Sequence, residues 1–290
     1  MSTGQFPLWL KKKIPSTTTC SVENVLKSNR LHTVCQSARC PNKSECFSKQ
    51  RATFLILGNI CTRHCSFCSV KQGTPREVDT LEPERIVLAI EKLKLKYVVI
   101  TSVSRDDLYD GGAAHFAHTV NVVKRRLPNV SVEVLTPDFQ GDLGALKTVC
   151  DSNITIFNHN VETIKRLYPI IRPNAQYERS LTVLQKAKEM LQNICTKSGL
   201  MVGLGENDND VFEALDDLRS VQCDIVTIGQ YLKPCEGKHE VARFVKPEVF
   251  EKYEQYAKKI GFTFVSAGPF VRSSYKADEA YASVRSECFA

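Results

Sequence analysis

No apolar run in this 290-residue chain approaches the ~18 residues that a membrane-spanning helix needs. The opening stretch, MSTGQFPLWLKKKIP, places its apolar side chains ahead of its lysines. A secretory signal has the reverse order and a small-residue cleavage site. A mitochondrial presequence is longer and rich in arginine. The expected location is therefore the cytoplasm. A glycine-rich phosphate loop of either standard type is missing, as are internal repeats and low-complexity tracts. Charge of one sign is scarce: 39 lysines and arginines stand against 32 acids, a formal net charge of +7. That excess is too small to mark a nucleic-acid surface, although it favours encounter with an acidic protein. At 42% hydrophobic and 24% charged, the composition is that of a globular protein with a sizeable core.

Cysteine, by contrast, is abundant, with twelve in the chain. Disulfides are rare in a reducing compartment, so clustered cysteines there point to metal binding or catalysis. Six are clustered, as Cys35, Cys40, Cys46 and as Cys61, Cys65, Cys68. The others are scattered, and each reads as a small hydrophobe.

Residues 1–50 are polar, with little periodicity. From residue 51 a rhythm begins. Short apolar runs such as TFLILG, KYVVITS, VSVEVLT, GLMVGLG and DIVTIG alternate with amphipathic stretches such as PERIVLAIEKLKL and YERSLTVLQKAKEMLQ. Apolar strands alternating with helices predict a parallel sheet covered by helices. The choice between an open sheet and a barrel rests on the segment that leaves each strand. Polar or glycine-rich sequence collects there: CTRHCSFC, TSVSRDDLYDGG, TPDFQG, NHNVET and GLGEND. Barrel enzymes build their sites on that rim. The expected fold is α/β, a partial (β/α)6-type TIM barrel. Its expected parts are an extension over 1–50, a core over 51–261 and a tail over 262–290, the two extensions covering the barrel mouth.

The cysteines of CTRHCSFC are separated by three and then two residues. A structural zinc site closes its tetrahedron with a fourth ligand. A 4Fe–4S cube usually takes four cysteines, and three leave one iron free to bind something else. This spacing, behind a first strand and ahead of a βα series, resembles the radical S-adenosylmethionine superfamily. There the free iron chelates the amino and carboxylate groups of S-adenosylmethionine. Phe67, between the last two cysteines, matches the superfamily pattern as well.

The upstream triad, CQSARCPNKSEC, has gaps of four and five residues. Together with TSVSRDDLYDGGAAHFA, VEVLTPDFQGD, NHNVETIKRLYPIIRP, KSGLMVGLGE and the terminal GPFVRSSYKADE, it resembles lipoyl synthase over nearly the whole chain. The resemblance implies two 4Fe–4S clusters. One is held by Cys61, Cys65 and Cys68 with S-adenosyl-L-methionine as its further ligand. The auxiliary one is held by Cys35, Cys40 and Cys46, with Ser274 of RSSY as its fourth ligand. A serine oxygen holds iron less firmly than a thiolate does, which suits a cluster that gives up its sulfides. The resemblance also implies that Glu162 accepts from the amino group of S-adenosylmethionine, that Arg172 pairs with its carboxylate, and that GLMVGLGE approaches its adenine. Arg272 could steady Ser274 or the auxiliary cluster. Arg105, Asp106, Asp107 and Asp110 share one rim loop but are needed for no acid–base step.

The implied reaction inserts two sulfur atoms, at the sixth and eighth carbons of an octanoyl group. That group is carried on a lysine of a lipoyl carrier domain. The implied partners are such carriers in 2-oxoacid dehydrogenase complexes and the glycine cleavage carrier protein, an electron donor and an iron–sulfur carrier. Neither nucleic acid nor membrane is among them. The alternatives are another sulfur-inserting radical enzyme and a zinc-stabilised binding protein. One stretch departs from the family pattern. In QYLKPCEGKHEV, Lys238 stands near the place of a histidine, His239 is next to it, Glu240 replaces a proline and Cys235 is unusual.

Overall fold

The computed structural model describes residues 6–12, 20–191 and 194–288. The described part of the extension holds more regular structure than its polar sequence suggests. It carries α1 (Cys20–Ser28), β1 (His32–Thr33), α2 (Val34–Ser37) and α3 (Lys43–Ser48). Val22 and Leu26, one turn apart on α1, are both buried in the main core. A stripe that narrow was too short to register against the surrounding serines and asparagines.

The core then alternates strand and helix. β2 (Thr53–Ile56) leads into the cysteine loop, which contains the two-residue strands β3 (Ile60–Cys61) and β4 (Lys71–Gln72). The series continues with α4 (Glu82–Leu93), β5 (Tyr97–Ser102), α5 (Ala113–Arg126), β6 (Ser131–Leu135), α6 (Leu143–Cys150) and β7 (Ile156–Asn158). It ends with α7 (Tyr168–Ile171), α8 (Tyr177–Met190), β8 (Cys195–Val202), α9 (Asp208–Ser220), β9 (Ile225–Gln230), α10 (Pro247–Lys259), β10 (Phe264–Gly268) and α11 (Ala277–Cys288).

The main sheet runs in the order β1-β2-β5-β6-β7-β8-β9-β10. Every neighbouring pair from β2 to β10 is parallel, while β1 joins the β2 edge antiparallel. Among the described residues β2 and β10 are not paired, so the barrel is partial, as expected. Its strands are buried almost throughout: β2, β7 and β9 expose no residue. The helices turn apolar faces onto them, as with Ile86, Ala89, Ile90 and Leu93 of α4. Side chains packed from both sides of the sheet supply the main stabilising burial.

The tail segment divides. Its first part, β10, extends the sheet. Residues 269–276 then turn into the barrel, and α11 closes the end from which the strands start. There Val284 packs on Ile156, Cys195 and Ile225, the first residues of β7, β8 and β9. Among the described residues no helix is long and apolar enough to cross a membrane.

Candidate active site

The CTRHCSFC loop leaves the C-terminal end of β2 and is tied down on several sides. Thr62 donates its backbone N–H to the Ser104 carbonyl at 3.1 Å and its hydroxyl to the same oxygen at 3.0 Å. Ser66 N–H reaches the Ile171 carbonyl at 3.0 Å, and His239 N–H reaches the Ser66 carbonyl at 2.9 Å. Arg63 turns inward, 4% exposed. It grips Asp106 with Nε and Nη2 at 2.6 and 2.8 Å and the fully buried Asp138 at 2.5 Å. Asp138 is held down at about 2: burial alone would raise it, but Arg63 outweighs burial. Asp106 thus belongs to the loop's scaffold. Arg105 likewise pairs with Asp107 at 2.8 Å and with the Leu57 carbonyl. His64 is exposed.

This scaffolding presents Cys61, Cys65 and Cys68 together. The Arg63 N–H points at Cys61 Sγ at 3.4 Å, and the Val70 N–H at Cys68 Sγ at 3.5 Å. Such donors stabilise negative sulfur. Burial raises the Cys65 thiol and pushes Cys68 up to about 12, helped by the neighbouring cysteines of the triad.

The other triad lies near the opposite end of β2. Thr33 caps α2 by accepting from Gln36 N–H at 3.3 Å, which turns Cys35 into the interior. Cys35 is driven to about 11 and Cys46 to about 12, by burial first and then by the neighbouring cysteines. Thr53, the first residue of β2, donates its hydroxyl to Ser274 Oγ at 2.9 Å. A cavity of ≈ 320 Å³ is lined by Cys35, Cys40, Cys46, Thr53, Arg272 and Ser274. The tail can come this close because position 229 is glycine. A Cβ there would lie 2.1 Å from the Val271 carbonyl oxygen.

A second cavity, ≈ 400 Å³, joins the two triads. Its lining includes Cys35, Cys40 and Ser274 together with Phe67, Cys68 and Glu162, and Leu135, Leu200, Met201 and Val271 give it apolar wall. Glu162 and Arg172 are both brought to this region. Glu162 sits at φ +65°, a conformation L-residues adopt rarely. It is held there by Glu162 N–H to the Gly199 carbonyl and Met201 N–H to the Glu162 carbonyl, both 2.9 Å. Burial raises Glu162, opposed by Arg172 and by Asn160. Arg172 donates through Nη1 to the carbonyls of Asn160 and Val161 and to the Tyr168 hydroxyl. Its Nε is buried without a hydrogen-bond partner. A buried guanidinium donor of that kind suits an anionic ligand.

The donor sets fit iron–sulfur clusters. Each is three thiols at one locus, and thiolates are the ligands such clusters take. Among the described residues no group of His, Cys, Asp or Glu could hold a single metal ion. In QYLKPCEGKHEV the histidine beside Lys238 has a scaffolding role. His239 Nε2 contacts the Leu204 carbonyl at 3.0 Å, and its own carbonyl accepts from Tyr231 OH at 2.8 Å.

The radical SAM superfamily profile matches residues 55–218. The lipoyl synthase of Caldicellulosiruptor saccharolyticus is 55% identical over 276 residues, covering 94% of this chain and 96% of its own. That of Caldanaerobacter subterraneus subsp. tengcongensis is 53% identical over 272 residues, covering 94% and 95%. The chain belongs to the lipoyl synthase family. Among solved structures, methylornithine synthase superposes with a TM-score of 0.55 at 15% identity, over 93% of this chain and 91% of that one. SuiB of Streptococcus suis bound to S-adenosylmethionine gives 0.56 at 12% identity, over 80% and 55%. These two likenesses support the partial-barrel fold. Within this lipoyl synthase fold, sequence reasoning missed Arg63, Asp138 and the asparagines behind the tail. A charged residue inside the cysteine motif was the one available signal for Arg63.

Proposed function

We propose that this lipoyl synthase holds one 4Fe–4S cluster on Cys61, Cys65 and Cys68, and an auxiliary one on Cys35, Cys40, Cys46 and Ser274. The single observation that carries the reading is the cavity lined by cysteines of both triads and by Ser274. When bound, the first cluster with S-adenosylmethionine supplies a carbon-centred radical able to take hydrogen from unactivated C–H bonds, and the second supplies sulfur.

The chain's own residues do the rest. Leu135, Leu200, Met201 and Val271 form the apolar wall against which an octanoyl chain lies between the triads. Phe67 shields Cys68 on the same cavity. Glu162 accepts from the amino group of S-adenosylmethionine, and Arg172 offers its free Nε to the carboxylate. Arg272, whose charge faces Cys40 and Glu162, offsets the negative charge of both sites. Burial of the cavity keeps water from a reactive carbon. The substrates are octanoylated lipoyl carrier proteins. We extend this to the carriers of 2-oxoacid dehydrogenase complexes and of glycine cleavage, with an electron donor and an iron–sulfur carrier as further partners in the cytoplasm. The three segments, 1–50, 51–261 and 262–290, then divide the work into auxiliary site, radical core and closing tail.

The test is an anaerobic assay with dithionite, S-adenosylmethionine and an octanoyl-lysine peptide, with iron and sulfide counted on the same sample. Two sulfurs gained by the peptide and about eight irons per chain are expected. Cleavage of S-adenosylmethionine without sulfur transfer would move the substrate elsewhere.

A further inference from the structure

The two adjacent serines of RSSY face different partners. Ser274 lies against Thr53 and the first cysteine triad. Ser273 takes part instead in a chain of hydrogen bonds inside the barrel. Asn158 Nδ2 donates to Ser273 Oγ at 2.8 Å. Ser273 Oγ donates to Asn160 Oδ1 at 2.9 Å. Asn160 Nδ2 donates to Glu162 Oε1 at 3.0 Å.

Every donor in that chain points the same way, toward the Glu162 carboxylate. Hydrogen bonds aligned in this sense polarise one another, and the last of them favours the charged acceptor. The near end of the chain is fixed by a buried ion pair. Asn158 Nδ2 also donates to Glu133 Oε1 at 2.7 Å, and Lys197 Nζ donates to both Glu133 oxygens at 2.9 and 3.2 Å. Tyr97 OH completes the Glu133 carboxylate at 2.6 Å. Glu133 and Lys197 are 0% and 1% exposed, so neither is a surface pair that solvent would screen. The far end is fixed by packing. A Cβ on Gly199 would sit 2.7 Å from Asn160 Oδ1, so glycine is what lets Asn160 lie between Ser273 and Glu162.

We propose that Ser273 is a positioning residue that registers the tail against the S-adenosylmethionine pocket, holding Glu162 in its binding orientation while it sets Ser274 over the auxiliary triad. The inference rests on the reading that Glu162 binds S-adenosylmethionine and that Ser274 serves the auxiliary site. It adds that one hydroxyl ties the two together, so that the auxiliary site and the S-adenosylmethionine site are mechanically linked.

The experiment is a double-mutant cycle on the cluster-loaded full chain, read by equilibrium binding of S-adenosylmethionine without reductant. Ser273→Ala is expected to weaken binding about tenfold, the loss of the one buried hydrogen bond that orients Asn160 toward Glu162. Ser273→Thr keeps the hydroxyl and is expected to restore most of it. In a Glu162→Gln background the effect of Ser273→Ala is expected to vanish, since the two act through one another. Because Ser274 keeps its own oxygen and loses only its registration, auxiliary iron in Ser273→Ala is expected to fall below wild type but less than in Ser274→Ala. The proposal is overturned if Ser273→Ala binds as wild type while Glu162→Gln binds weakly, or if the two losses simply add. It is also overturned if Ser273→Ala keeps the full auxiliary iron of wild type, or loses as much of it as Ser274→Ala. If Glu162→Gln itself leaves binding unchanged, the failure lies in the role given to Glu162.

Discussion

Thr53 Oγ1 donates to Ser274 Oγ at 2.9 Å across 221 positions of sequence. One residue opens the first strand of the barrel, and the other lies in the tail that returns to it. This contact puts the Ser274 hydroxyl on the cavity that Cys35, Cys40 and Cys46 line.

Removing that oxygen separates the two half-functions. Ser274→Ala is expected to abolish sulfur insertion while leaving cleavage of S-adenosylmethionine close to wild type, because Cys61, Cys65 and Cys68 are untouched. Thr53→Val removes the donor but not the oxygen, and is expected to give a partial loss of insertion. Deoxyadenosine release and peptide mass, measured on the same reaction, check both. Equal loss of the two activities in Ser274→Ala contradicts the assignment.

The tail's approach makes a second prediction. Gly229→Ala places a Cβ 2.1 Å from the Val271 carbonyl oxygen, a backbone atom that a rotamer change cannot relieve. The tail is expected to be displaced and the auxiliary site lost, leaving about four irons of about eight. Gly237→Ala, which is strained at φ +76° but has no atom within 4 Å of the added Cβ, serves as the control for backbone strain without a clash on the tail. It is expected to keep the full count. Iron analysis of the two purified variants decides it.

The cysteine loop depends on Arg63. Arg63→Ala leaves Asp138, 0% exposed, without its main counter-charge. Stripping one partner from a buried pair costs about 3–5 kcal/mol, so a large fall in melting temperature is expected. The pH dependence has a definite sign. Asp138 is held at about 2 in the folded chain, below its unfolded value of about 3.9. Its contribution is therefore present above about pH 4 and is lost as pH falls through about 2. Wild type is expected to lose more stability than Asp138→Asn over that window. Melting curves across the window check it, and parallel slopes for the two proteins would rule the pair out.

The barrel was legible because buried parallel strands write themselves as apolar runs and the rim as polar ones. The clustering of the six cysteines was legible from spacing, whereas the role expected of the upstream triad and of Ser274 came only through resemblance to a family. Other features had no local signature. Helix α1 lies in polar sequence and is held by Val22 and Leu26, too few for periodicity to register. Arg63 and Asp138 meet across 75 positions. Glu133 and Lys197 sit in strands VSVEVLT and CTKSGLMV, where charge ordinarily means a solvent-facing side chain. Here each charge is the other's partner in the barrel interior, a fact that exists only once β6 and β8 have closed around β7.

The most direct test traces the sulfur. The chain is loaded anaerobically with isotopically heavy sulfide, freed of excess, and given one equivalent of octanoyl-lysine peptide with S-adenosylmethionine and dithionite. A product carrying two heavy sulfurs is expected from wild type, and intact octanoyl peptide from Cys40→Ala even though that variant still cleaves S-adenosylmethionine. Heavy sulfur delivered by Cys40→Ala, or light sulfur delivered by wild type, would contradict the auxiliary cluster as the sulfur donor.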